Sequence, residues 1–126
     1  MNNLTTIFKA LADGNRLRIV AALIRHEELC ACQITELIQV TGATASRHMG
    51  ILLSSGLVES RKDGRWVYYR IRREQINLSP LIHWIETQLY TDTDVTRDAK
   101  KLAEITACDP EELCRKQRGE KCCPKK

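Results

Sequence analysis

Cysteine is the residue type whose placement in this chain most suggests chemistry. Of six cysteines, Cys30 and Cys32 form a Cys-x-Cys pair, while Cys108, Cys114, Cys122 and Cys123 lie near the C-terminal end. Thiolates are soft donors that select thiophilic ions over hard cations, so the Cys-x-Cys spacing points to a ligand pair or a redox pair. Two small cysteines filling core space is the plainer structural alternative. The charged connector Arg25-His26-Glu27-Glu28 just ahead of the pair argues against it. The three histidines form no second site: His26 belongs to the solvated connector, His83 has no second histidine at a metal-binding distance, and His48 falls in a segment suited to nucleic acid. No nucleophile, acid–base pair or phosphate-binding loop stands out. A binding protein without an organic cofactor is expected, not an enzyme.

The elements that position these residues follow from apolar periodicity. At 126 residues the chain suits one compact domain plus a tail. Its first residues lack the apolar run of a signal peptide and nothing further on reaches membrane-span length, so a cytoplasmic address is expected, with free thiols. Leu4, Ile7, Phe8 and Leu11 repeat at helical spacing. Asp13 is placed to cap a second helix carrying Leu17, Val20, Ala21 and Ile24. Glu28-Leu29-Cys30 then reads as a connector into a short third helix with Ile34, Leu37 and Ile38 inward. A break at Thr41-Gly42 precedes a fourth helix starting near Ala43. That is helix-turn-helix spacing.

In the fourth helix Ala45, Met49, Leu52 and Leu53 share one face, and Thr44, Arg47 and His48 share another. A polar face with an arginine among short side chains, Ser46 included, suits the major groove of DNA. Gly56 ends this helix. Two strand-like runs follow, Leu57 to Lys62 and Arg65 to Ile71, with Asp63-Gly64 between them as a type I′ hairpin turn. That turn would set Val58 opposite Tyr69, and Arg61 opposite Trp66 for a cation–π stack. Lys62 and Arg65 would flank the tip. A cationic hairpin beside a recognition helix is the layout of a winged helix.

Charge is distributed to match. Between Arg61 and Arg73 six basic residues face Asp63 alone, whereas between Glu86 and Glu112 eight acids outweigh Arg97, Lys100 and Lys101. Phosphate-seeking surface is concentrated in the wing. Ser79-Pro80 opens a helix with Leu81, Ile82, Ile85 and Leu89 in a row and Trp84 close by, expected to pack with the first helix against a second subunit. A last helix runs from Thr93 to Thr106 on Val95, Ala99, Leu102, Ala103 and Thr106. The expected fold is mainly α with a β-hairpin: a dimeric winged helix-turn-helix domain over 1–107, then a cysteine-containing basic tail over 108–126.

Five segments together resemble the ArsR/SmtB family of bacterial metal-responsive repressors. They are Leu11-Ala12-Asp13-Gly14-Asn15-Arg16-Leu17-Arg18-Ile19, Glu28-Leu29-Cys30-Ala31-Cys32, Ser46-Arg47-His48-Met49, Ser55-Gly56-Leu57-Val58, and Asp63-Gly64-Arg65-Trp66-Val67-Tyr68-Tyr69. The resemblance implies a homodimer on operator double-stranded DNA, with contacts from Thr44, Ser46, Arg47, His48, Arg61, Lys62 and Arg65. Glu-Leu-Cys-x-Cys is similar to the arsenic-responsive branch, which implies release from the operator when trivalent arsenic or antimony binds Cys30 and Cys32. Sensing of cadmium, lead or zinc, or thiol redox sensing, are the alternatives. Thr35 stands where the arsenical motif has a third cysteine, so the third sulfur is sought among Cys108, Cys114, Cys122 and Cys123, with Cys122-Cys123 as an alternative or second site. Gly42 occupies a position that is often glutamine in the family. Since residues two apart in a regular helix point about 200° from each other, ligation of both cysteines is expected to distort the start of the third helix and tilt the recognition helix.

Overall fold

The computed structural model describes residues 2–73, 78–108 and Leu113. Its elements run α1 (Asn2–Leu11), α2 (Gly14–Arg25), β1 (Leu29–Cys30), α3 (Ala31–Ile38), α4 (Gly42–Ser55), β2 (Val58–Asp63), β3 (Trp66–Ile71), α5 (Ser79–Leu89) and α6 (Thr93–Ala107). The winged helix-turn-helix architecture is present. Around it α1, α5 and α6 complete the core.

Helix α2 is central because its sequence is apolar nearly all round: Ile19, Val20, Ala21, Ala22 and Leu23 are buried in succession. Asp13 caps it as expected, its side chain accepting from the Arg16 N–H at 3.1 Å. Leu23, Leu29, Ile34, Leu37, Leu52, Leu57 and Ile71 meet in the interior with under 2% exposure, each contributing about 1.5–3 kcal/mol by burial. Leu113, beyond the expected boundary at 107, is buried in the same cluster.

Helix α3 ends on Gln39, which at φ 56 is the sole non-glycine residue among those described with a left-handed backbone. The strain is bounded by a hydrogen bond from its side-chain amide to the Glu36 carbonyl at 2.8 Å. Thr41 then caps α4, accepting from the Thr44 N–H at 3.2 Å, so that α4 begins one residue before the expected Ala43. Gly56 closes α4 at φ 84, as its position predicts.

The wing differs from expectation in register. Val58 pairs with Ile71, Ser60 with Tyr69, Arg61 with Tyr68, and Asp63 with Trp66. The turn is therefore Gly64-Arg65, not Asp63-Gly64. Gly64 alone carries a positive φ, 63°, as a type II′ turn requires at its first central position. The expected type I′ turn would have forced Asp63 into the left-handed region as well. A two-residue slip keeps every side chain on its face, and it brings the buried Val58 and Ile71 together.

Strand β1 was not foreseen. Leu29 and Cys30 pair with Tyr69 and Tyr68, giving a three-stranded antiparallel sheet in the order β1-β3-β2. Near the C-terminal end, α5 is preceded by Leu78 as its N-cap, so Ser79 lies inside the first turn and is not the expected cap. In α6 the buried residues are Val95, Asp98, Leu102 and Ile105. Ala103 and Thr106, expected inward, are exposed. The inward face is rotated because Asp98 belongs to it, its charge met by Arg18.

Candidate metal centre and nucleic-acid interface

Cys30 stands where β1 becomes α3. It ends the strand, serves as the N-cap residue of α3 with φ −82 and ψ 161, and is 1% exposed. Its N–H donates to Gln33 Oε1 at 2.9 Å, the backward half of a capping box. Cys32 is the second residue of α3 and packs, partly buried, against the core. Because Cys30 has extended backbone angles, the 200° relation between helical neighbours does not describe this pair. Cys30 belongs to the strand–helix junction and Cys32 to the first turn of α3.

Among the described residues Cys30 and Cys108 are free thiols, the first buried and the second exposed at the end of α6. Cys32 is disulfide-bonded, and Cys114, Cys122 and Cys123 lie outside the described residues. No group of three or more His, Cys, Asp or Glu side chains close enough to hold a metal occurs among the described residues. The junction thus supplies one free thiol, Cys30, and a second sulfur, Cys32, that becomes a donor once its disulfide is reduced. That donor set fits a thiophilic ion whose coordination is completed from elsewhere in the chain.

On α4, Ser46 and Arg47 are exposed, as a groove-facing surface requires. His48 is not. It is 5% exposed, with Nδ1 3.1 Å from Arg16 Nη1 and 3.9 Å from Asp13 Oδ2. Arg16 also donates to the Ala10 and Lys9 carbonyls at 2.7 and 3.3 Å. Since guanidinium can only donate, His48 Nδ1 accepts here, and the ring ties α4 to α1 and α2. The expectation that His48 faces DNA is corrected. At 100° per residue His48 lies as near to Ala45, Met49 and Leu52 as to Thr44 and Arg47, and a buried donor decides between the faces. Thr44 is half-buried, its Oγ1 accepting from Thr41 Oγ1 at 3.0 Å within the cap.

In the wing, Lys62 and Arg65 are exposed at the tip, and Arg65 lies over the Trp66 ring with its Cζ 5.2 Å from the centroid. Arg61 does not stack on Trp66 as expected. It lies over Tyr68 at 4.6 Å and donates through Nε and Nη2 to both Glu28 oxygens, each at 2.7 Å. This hydrogen bonding holds the Glu28 carboxyl below its ordinary value and raises Arg61 above its own. Glu28 sits two residues before Cys30, and Tyr68 pairs with Cys30 across the sheet. The Glu28–Arg61 pair and the Cys30–Tyr68 pairing therefore link the cysteine junction to the wing. The sequence marked Glu28 only as part of a charged connector, since a bridge between residues 33 apart leaves no local signal.

The sequence model of the bacterial regulatory protein arsR family matches residues 13–60. The cadmium resistance transcriptional regulatory protein CadC of Listeria innocua is 48% identical over 69 residues, 55% of this chain, and the match spans only 58% of that relative's length. The arsenic resistance transcriptional regulator ArsR1 of Pseudomonas putida is 33% identical over 104 residues, covering 79% of this chain and 77% of that protein. Among solved structures, a homodimeric winged helix-turn-helix DNA-binding domain from Mycobacterium bovis, named a possible ArsR-family transcriptional regulator, matches with TM-score 0.61 and 32% identity. It covers 68% of this chain and 77% of that one. With identity sustained over most of both chains and the winged fold in common, this chain belongs to the ArsR family of bacterial regulatory proteins.

Proposed function

We propose that the protein is a homodimeric, DNA-binding transcriptional repressor of a metal-resistance operon, released from its operator when trivalent arsenic or antimony binds Cys30, Cys32 and a third cysteine. The observation that carries this reading is the position of Cys30: it ends the strand paired to the wing and begins the first helix of the helix-turn-helix. Ligation there acts on both DNA-contacting elements at once.

The recognition surface is Ser46 and Arg47 on α4 with Lys62 and Arg65 on the wing, Thr44 contributing at the cap. Arg61 is held by Glu28 and orients the wing. Leu4, Phe8 and Trp84 are 52%, 54% and 59% exposed on α1 and α5, and a second copy covering them would form the dimer. No helix among the described residues is long and apolar enough to cross a membrane. When the Cys30 and Cys32 sulfurs converge on one ion, β1 and the start of α3 shift together. The Glu28–Arg61 pair carries the shift to the wing, and α3 carries it to α4. Release follows because the ligated conformation binds DNA more weakly.

Once a cellular dithiol or thiol reductant has opened the Cys32 disulfide, Cys30 and Cys32 plus one C-terminal cysteine suit a three-coordinate trivalent arsenical better than a four-coordinate cadmium or zinc ion. Leu113, next to Cys114 in sequence, is buried in the core. The disulfide at Cys32 favours a second reading, thiol oxidation as the releasing event. Mobility-shift titration of the operator complex with arsenite, cadmium and peroxide separates these readings. Arsenite is expected to release the DNA at the lowest concentration. Release by cadmium or peroxide alone would replace the arsenical reading, and release by none would overturn the sensor reading.

A further inference from the structure

Asp98 and Arg18 form a charged connection that the helix-turn-helix itself does not require. Asp98, on α6, is 4% exposed. Arg18, on α2, donates to it through Nε at 2.8 Å and Nη2 at 3.0 Å. The same Nη2 donates to the Leu37 carbonyl at 3.1 Å, and Nη1 donates to Asn15 Oδ1 at 3.1 Å. Leu37 lies in the last turn of α3, where carbonyls lack helical partners and carry the negative end of the helix dipole. The turn that follows, through left-handed Gln39 to the Thr41 cap, sets where α4 begins.

Helix α3 is therefore gripped at both ends. Its start carries Cys30 and Cys32. Its end is held by Arg18, whose guanidinium is fixed by a carboxylate on α6, and α6 ends at Cys108, just before the C-terminal cysteines. A hydrophobic side chain at position 98 would dock α6 equally well, but it could not fix the orientation of Arg18. A bidentate pair between buried Asp98 and half-buried Arg18 that also satisfies a helix-terminal carbonyl imposes one geometry, and removing either member releases the others.

We propose that Asp98 and Arg18 are positioning residues that couple the C-terminal segment to the helix-turn-helix, so that engagement of the C-terminal cysteines is felt at the turn before the recognition helix as well as at Cys30. The inference rests on the effector-release reading above. Displacement of α6 moves Asp98, Arg18 follows its counter-charge, and the Leu37 carbonyl loses its donor. The α3–α4 turn then relaxes. Loss of this step leaves effector binding intact and reduces its consequence.

Full-length wild type, Asp98→Asn and Asp98→Glu are titrated with operator DNA, with and without arsenite, and bound arsenite is counted in parallel. Wild type is expected to lose operator affinity at least tenfold on arsenite binding. Asp98→Asn is expected to bind the same amount of arsenite with less than a threefold loss, and Asp98→Glu, which keeps the carboxylate, to recover part of the response. A wild-type fold-change in Asp98→Asn overturns the inference. A second measurement needs no effector: hydrogen exchange of the Gln39 amide, which donates to the Thr35 carbonyl at 3.1 Å. Asp98→Asn is expected to speed it at least tenfold while the amides of Leu52 and Leu53 in the α4 interior stay protected. Equal protection at Gln39 overturns the inference whatever the effector does. Failure of wild type to respond to any effector, with exchange at Gln39 accelerated, counts against the sensor reading alone.

Discussion

Replacing Asp98 by alanine gives a stability change whose size follows from the geometry. The side chains of Asp98 and Arg18 are 6% and 22% exposed, with two hydrogen bonds of 2.8 and 3.0 Å between them. Removing one member of a buried ion pair costs about 3–5 kcal/mol when the survivor is left without partners. Arg18 would keep the Leu37 and Asn15 oxygens, both at 3.1 Å, and water can reach its partly exposed side chain. The cost for Asp98→Ala is therefore placed lower, at about 2–3 kcal/mol. The Arg18→Met, Asp98→Leu double variant should recover most of it, because apolar residues of similar volume replace a buried pair at little net cost. Urea unfolding at one fixed protein concentration compares wild type, Asp98→Ala, the double variant and its singles Arg18→Met and Asp98→Leu, since the stability of a dimer depends on concentration. A single-variant cost below about 0.5 kcal/mol, or a double variant as unstable as the sum of its singles, would refute the reasoning.

The carboxyl groups of Asp13 and Glu28 are both held low, the first chiefly by the Arg16 backbone N–H and the second by Arg61. Depressed values stabilise the fold above the ordinary carboxylate range, and this contribution is lost as pH falls through the folded-state values. Urea midpoints should drop below about pH 4, with a flatter profile in Asp13→Asn and Glu28→Gln. Lys62→Ala and Arg65→Ala should each weaken operator binding across sequences and lower the salt slope by about 0.9, read by anisotropy between low and moderate salt. An unchanged slope in both would remove the wing tip from the interface. Phe8→Asp with Trp84→Asp should shift the protein to monomer in sedimentation at micromolar concentration, and a persistent dimer would place the interface elsewhere.

The parts of the fold that were legible in the sequence are those written in local signals. Asp13 and Gly56 mark helix ends through backbone chemistry confined to one turn, and apolar spacing locates α2, α4 and α5. The hairpin was legible in kind but not in register, because Asp63-Gly64 and Gly64-Arg65 both offer a glycine and only the pairing of Val58 with Ile71 separates them. Strand β1 is a two-residue bridge, too short for any period. His48 was misplaced and Asp98 was passed over for one shared reason: each is a polar residue turned inward by an arginine distant in sequence, Arg16 and Arg18. A pattern of apolar and polar residues scores such positions as surface, whereas a guanidinium that satisfies the buried atom makes them core. For the thiol pair, residue type was legible and geometry was not, since the extended backbone at Cys30 removes it from the helix that its spacing suggested.

The central claim is that engagement of the sulfurs at the β1–α3 junction weakens DNA binding. The most direct measurement is operator affinity by fluorescence anisotropy on fully reduced protein, with and without stoichiometric arsenite, for wild type and the Cys30→Ser, Cys32→Ser double variant. The account predicts that both proteins bind the operator alike without arsenite, and that arsenite lowers affinity at least tenfold in wild type and leaves the double variant unchanged. Equal release of both proteins by arsenite would contradict it.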